Sequence, residues 1–256
     1  MIALLLAILH LDCDQFANYK PPAVPKDAHN VELAEKYANG DGVKRNLDAA
    51  AYFLCRAEEE MAPMEFSGMS QHLAAMRAGS ETKPLDFCDY VTSGYGMGLC
   101  ANREYEKLMP ELDRRLAALH VPEALVAKGL AYVKAETERT GELSRGGTGY
   151  AGFVLGEEMS EKQSFVVNLE RRSARRAPIV SAAQAKAADD ELNAAYRAWD
   201  RDTFLRDAQR AWIAYRDAFA TWYVERWKGK ASPDELQREI VTELSRERAL
   251  DLREGQ

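Results

Sequence analysis

No apolar stretch in this 256-residue chain approaches the ~20 residues that a helix needs to cross a bilayer. The run from Met1 to Leu9 has only the length of a signal-peptide core. It has no basic segment before it, and His10, Leu11 and Asp12 make a poor cleavage site. Two readings stand: the remnant of a signal segment within residues 1–17, or a buried N-terminal helix. Catalytic signatures are also missing. His10, His29, His72 and His120 show no HExxH or other ligand spacing, and no P-loop, GxSxG or dinucleotide fingerprint occurs. His120 reads as a helix-end residue. Gly94, Gly96 and Gly98 follow no apolar strand, so they read as turn flexibility rather than a phosphate loop. The carboxylates of Glu58–Glu60 and Asp189–Glu191 read as solvated helix faces, not as a glycosidase pair held across a cleft. The expectation is a protein that is not an enzyme and that holds no metal and no cofactor.

A basic excess is absent as well. The formal charge is −7, and the one basic cluster, Arg171, Arg172, Arg175 and Arg176, reads as a solvated helix end. That argues against nucleic acid as a ligand. An acidic surface suits a basic protein partner, because complementary potentials speed encounter and suppress wrong partners.

What is present describes an ordinary globular chain, 46% hydrophobic and 29% charged. Residues 182–195 are rich in Ala, Asp and Glu, and Pro and Gly are sparse after Pro178, which favours helix over strand. The four cysteines, Cys13, Cys55, Cys88 and Cys100, include no CxxC pair, which argues against a zinc or thioredoxin-like site. Cys88 and Cys100 are close enough to close a short loop, which leaves Cys13 with Cys55. Four buried free thiols are the alternative. Paired cysteines imply an oxidising, periplasmic or secreted location.

Along the chain, Lys20–Lys26 contains three prolines and reads as an extended strap. Residues 30–60 read as a helix hairpin. Val31, Leu33, Ala34, Tyr37 and Ala38 share one helical side, and Gly40-Asp-Gly42 breaks the helix. Asn46 or Asp48 caps the next one, whose stripe is Ala50, Phe53, Leu54 and Ala57. Tyr37, Gly40, Gly42, Val43, Asn46, Ala50, Phe53 and Ala57 resemble a Sel1-type repeat, with Asn46 in place of the usual Asp. Such a repeat generally serves as a protein-interaction scaffold. One repeat cannot bury its own face, so the region 28–80 needs a neighbour, in part from Ser70–Ala78. A second region, 85–256, carries helices expected over 102–119, 122–139, 160–175, 182–199, 203–227 and 233–252, with a glycine-rich interruption over 141–156. Shifting the chain by 80 residues aligns Glu111–Leu116 with Glu191–Tyr196, Leu125 with Leu205, and Ala131–Val133 with Ala211–Ile213. Two related units, 86–176 and 182–256, would explain that register.

The densest pattern lies in residues 188–218. Leu192, Tyr196 and Trp199 form one apolar side, and Leu205, Ala208, Trp212, Tyr215 and Phe219 form another. Two such faces meeting make an all-α hairpin held by aromatic burial. Asp189, Leu192, Asn193 and Tyr196, followed by Leu205, Ala208, Gln209, Trp212, Tyr215, Arg216 and Asp217, resemble the LprI family of cell-envelope proteins, named for a lysozyme inhibitor. Leu244 and Arg248 fit its final helix, and Cys88 and Cys100 look like its paired-cysteine opening. A second cysteine pair common in the family is missing, with Ala220 where one would fall. The resemblance implies an exported, all-helical protein that binds and inhibits a basic lysozyme-like glycosidase. A non-catalytic interaction scaffold in the envelope is the alternative. Most of the motif is apolar and helical in spacing, so it reads as specifying the fold.

Overall fold

The computed structural model describes residues 11–199 and 203–254, apart from the side chain of Leu143. The described residues contain nine α-helices and no strand. The helices are α1 (Asn30–Asn39), α2 (Leu47–Arg56), α3 (Pro63–Ala78), α4 (Gly94–Ala118), α5 (Glu123–Leu143), α6 (Tyr150–Ala174), α7 (Ala182–Ala198), α8 (Thr203–Arg226) and α9 (Pro233–Glu254). The chain divides into two compact units, Met1–Cys100 and Ala101–Gln256. The division falls within α4 rather than at Leu85. Leu85 and Phe87 belong with the first unit because both are buried in its core.

In the first unit α1 and α2 form the expected hairpin. Gly40 ends α1 with a left-handed φ of 81°, and Asn46 caps α2 by accepting from the backbone N–H groups of Asp48 and Ala49. Tyr37 stacks on Phe53 with ring centroids 5.6 Å apart. The hairpin buries its open face against α3, which contributes Met69, Leu73 and Met76. Two disulfides close the unit, Cys13–Cys55 and Cys88–Cys100, with Cα separations of 5.5 and 5.8 Å. Residues 1–10 of the expected signal segment lie outside the described residues. Its remainder is part of the fold: Cys13 is bonded to Cys55, Phe16 is buried, and the Leu11 N–H donates to Ser70 Oγ.

The glycines at 94, 96 and 98 are a correction. They are helical, in the first turns of α4. Buried Glu65 accepts from the Thr92 and Ser93 N–H groups, and Ser93 Oγ accepts from the Gly96 N–H, which together start the helix. A Cβ on Gly96 would sit 2.7 Å from Glu65 Oε1, so this glycine serves close approach rather than turning. His72 is buried and structural: its Nε2 donates to the Lys83 carbonyl, and its Nδ1 accepts from the Tyr90 hydroxyl.

In the second unit α5 packs chiefly on α8, and α7 on α9. Aromatic rings fill the centre. Tyr132 and Tyr215 stack nearly parallel at 5.5 Å, and Phe165 and Phe219 meet Tyr215 edge-on. Indole N–H groups tie helix ends, Trp199 to the Leu252 carbonyl and Trp227 to the Arg172 carbonyl. The expected interruption shrinks to residues 144–149. Gly141 and Gly156 are absorbed into α5 and α6, because a single helical glycine costs only about 1 kcal/mol against packing on both sides. At the 80-residue offset the end of α4, Ala118, falls on the end of α7, Ala198.

Candidate functional site

The motif residues of α7 and α8 divide by burial. Leu192, Leu205, Ala208, Trp212 and Tyr215 are core, and Ala220 is buried beside them. Asp189, Asn193 and Asp217 are exposed, while Tyr196, Gln209 and Arg216 are half-buried. The exposed polar members bond locally. Asn193 Nδ2 donates to Asp189, and Arg216 donates to Asp217 while its guanidinium lies over the Trp212 ring. Gln209 reaches another helix, where its Oε1 accepts from Arg248 Nε at 3.3 Å.

Arg248 on α9 is 1% exposed, and every nitrogen of its guanidinium is engaged. Besides Gln209, it donates to the Tyr132 hydroxyl at 3.1 Å and to Glu136 Oε2 at 2.9 Å. Glu136 Oε1 accepts in addition from Arg139, which lies over the Trp199 ring. Two arginines thus share one buried carboxylate. Burial pushes the Glu136 carboxyl up, but Arg248 and Arg139 outweigh it and hold the pKa below the ordinary carboxylate value. Burial pushes the Tyr132 phenol well up. Sequence reasoning missed Glu136 and Arg139. Their spacing of three on α5 is ordinary for a solvated helix face, and only the return of α9 makes it a buried network.

The basic cluster at the end of α6 is, in part, a second correction. Arg172 is 4% exposed and paired with Glu243, Arg171 pairs with Glu247, and Arg176 pairs with Glu239, donating from Nε at 2.8 Å. Glu239, Glu243 and Glu247 recur every fourth residue along α9, so they form one row facing the arginines. Arginines at the α6 C-terminus also meet the negative end of its dipole. Arg171, Arg172 and Arg176 thus join two helices, while Arg175 is exposed, as expected of a solvated helix end.

A cavity of about 210 Å³ opens among α5, α6, α8 and α9. Its floor is Tyr132, Phe165, Trp212, Tyr215 and Leu244, beside the engaged Arg248. Glu161, Glu247 and Asp251 supply carboxylates at its edge. The Tyr215 hydroxyl is buried in this lining and has no hydrogen-bond partner. Burial and the nearby Glu136 and Glu157 push Glu161 up to about 7. Burial first, then Glu136 and Glu247, push Asp251 up to about 6 despite Arg248. Among the described residues no group of His, Cys, Asp and Glu is arranged to hold a metal ion, and no helix is long and apolar enough to cross a membrane.

Known proteins add one finding to this geometry. No curated protein and no solved structure matches the chain. The residues that do match a known family supply Arg248, the glutamate row and the Trp212, Tyr215 and Phe219 part of the aromatic core: residues 171–252, from the last turn of α6 into α9, match the family model described as Lysozyme inhibitor LprI.

Proposed function

We propose that this is an exported envelope protein that binds a lysozyme-type glycosidase and inhibits it stoichiometrically, without chemistry of its own. The observation that carries this reading is the match of residues 171–252 to the lysozyme-inhibitor family. Two further features support it. Both cysteine pairs are bonded, which fits an oxidising compartment. The chain's charge of −7 complements a basic enzyme, so encounter is favoured electrostatically. The motif's apolar residues are spent on the core, so the contact with the enzyme falls to polar side chains displayed by α7–α9.

The test is titration of the purified, oxidised protein into a c-type lysozyme acting on cell walls, at low and at physiological salt. Dose-dependent inhibition is expected, weakening as the Debye length shrinks from about 30 Å at 0.01 M to about 8 Å at 0.15 M. Folded protein that neither binds nor inhibits at low salt overturns the reading. The α1–α3 region would then take the leading role, as an interaction scaffold.

A further inference from the structure

We propose that the cavity among α5, α6, α8 and α9 is a receptor for an alkyl cation, the guanidinium or ammonium group of an arginine- or lysine-like ligand. Size is the first argument. At about 210 Å³ it is smaller than the roughly 300–1,000 Å³ of pockets for drug-sized molecules, and suits the end of one extended side chain. Phe165, Trp212 and Leu244 offer apolar area to an alkyl stem, and the Tyr132 ring beside them already carries the Arg248 guanidinium over it, so this lining accepts a cation against an aromatic ring.

Charge is the second argument. Arg248 is the cation of the lining, and its three nitrogens are already spent on Gln209, Tyr132 and Glu136. Glu247 is held by Arg171. That leaves Glu161 from α6 and Asp251 from α9, neither of which has an ion-pair partner among the described residues. The third argument is independent of charge. Tyr215, a residue of the lining, is 4% exposed, and its buried hydroxyl has no partner, which is rare. A guanidinium or ammonium N–H would donate to Glu161, and to the Tyr215 hydroxyl where the lining yields toward the ligand.

The groups that set the field are Tyr132, Glu136 and Arg139 on α5, Glu157, Glu161 and Arg171 on α6, Tyr215 on α8, and Glu247, Arg248, Asp251 and Glu254 on α9. Carboxylates outnumber arginines in this set. Glu161 and Asp251 therefore hold protons toward neutral pH, and a bound cation would displace them. Binding should strengthen as pH rises and release protons. Nothing here depends on a glycosidase: the cation arises from a free amine or from a side chain of a protein.

The probes are butylguanidinium, a free alkylguanidinium, and N-acetyl-arginine amide, which presents the same group as a protein would. N-acetyl-citrulline amide is the neutral control. Calorimetric titration of the oxidised full-length chain should show saturable binding of a cationic probe at pH 8, at least tenfold weaker at pH 5. The citrulline control should not bind. Glu161→Gln and Asp251→Asn should each weaken the interaction severalfold, and the pair at least tenfold. Tyr215→Phe, which keeps the ring, should weaken it severalfold. Stronger binding of butylguanidinium than of the amide would point to a free small cation, and equal binding to a protein side chain. Butylguanidinium binding no better than the citrulline control, or undiminished in a folded Glu161→Gln/Asp251→Asn protein, overturns the proposal. Lysozyme inhibition is a separate readout, so either idea can fail alone.

Discussion

The unit Met1–Cys100 holds both disulfides and, of the Asp, Glu, Lys, Arg and His side chains among its described residues, buries only Glu65 and His72. The unit Ala101–Gln256 has no cysteine and buries Glu136, Arg139, Lys162, Arg172, Glu239 and Arg248. The difference follows from size and helix length. Two of the first unit's helices, α1 and α2, have ten residues each, and a small core is commonly reinforced by cross-links. The helices of the second unit run to 17–25 residues and present long, similar apolar stripes. Apolar stripes slide at modest cost. A guanidinium that must find Gln209, Tyr132 and Glu136 at once does not, so Arg248 sets the register of α9 against α5 and α8. Ion pairs of this kind cost nearly as much to desolvate as they return, so their contribution is specificity more than stability.

The sharpest way to break the second unit is therefore to remove the shared carboxylate. Glu136→Leu leaves Arg139 and Arg248 buried against each other and should destabilise by about 3–5 kcal/mol, read by chemical denaturation. Trp212→Ala opens the aromatic centre and should cost a similar 3–5 kcal/mol or slightly less, with the first unit's amide protection unchanged. Replacing Cys13 and Cys55 together by Ser should act on the other unit. The loop spans 42 residues, and releasing it should cost about 2–4 kcal/mol, with amide exchange quickening in α1 and α2 before α5 and α8.

The smallest effect concerns pH. Glu161 binds its proton more tightly in the folded chain, with a pKa near 7 against an ordinary 4.5. The folded state therefore holds more protons between those values, and stability falls as pH rises through that window. Glu161→Gln should flatten that fall. At pH 8 it should raise stability by about 1 kcal/mol after screening at the cavity mouth, some 2–4 °C in Tm. A variant that melts lower than the parent at pH 8 would show that the carboxylate is held by an unrecognised cation.

How much of this was legible in the sequence depended on how local the cause was. The stripe Leu205, Ala208, Trp212, Tyr215, Phe219 declares itself by helical spacing, and Asn46 by its place before an apolar run. Cysteine count and spacing suggested the two disulfides. Causes distant in sequence were not legible. The arginines at 171–176 looked solvated because Glu239, Glu243 and Glu247 lie some seventy residues later. Gly94–Gly98 looked like a turn because the carboxylate that starts α4 is Glu65. Glu136 resembled any other helix carboxylate, and only the three-dimensional return of Arg248 made it the centre of a buried network. The cavity had no signature at all, since its lining comes from four helices.

The most direct test of the central claim is hydrogen–deuterium exchange on the oxidised full-length chain, with and without excess c-type lysozyme at low salt. The account predicts slowed exchange concentrated in residues 171–252, across α7, α8 and α9. Protection confined to α1–α3 would contradict it and assign partner binding to the disulfide-bonded unit, and a chain with no protected segment would contradict lysozyme as the partner.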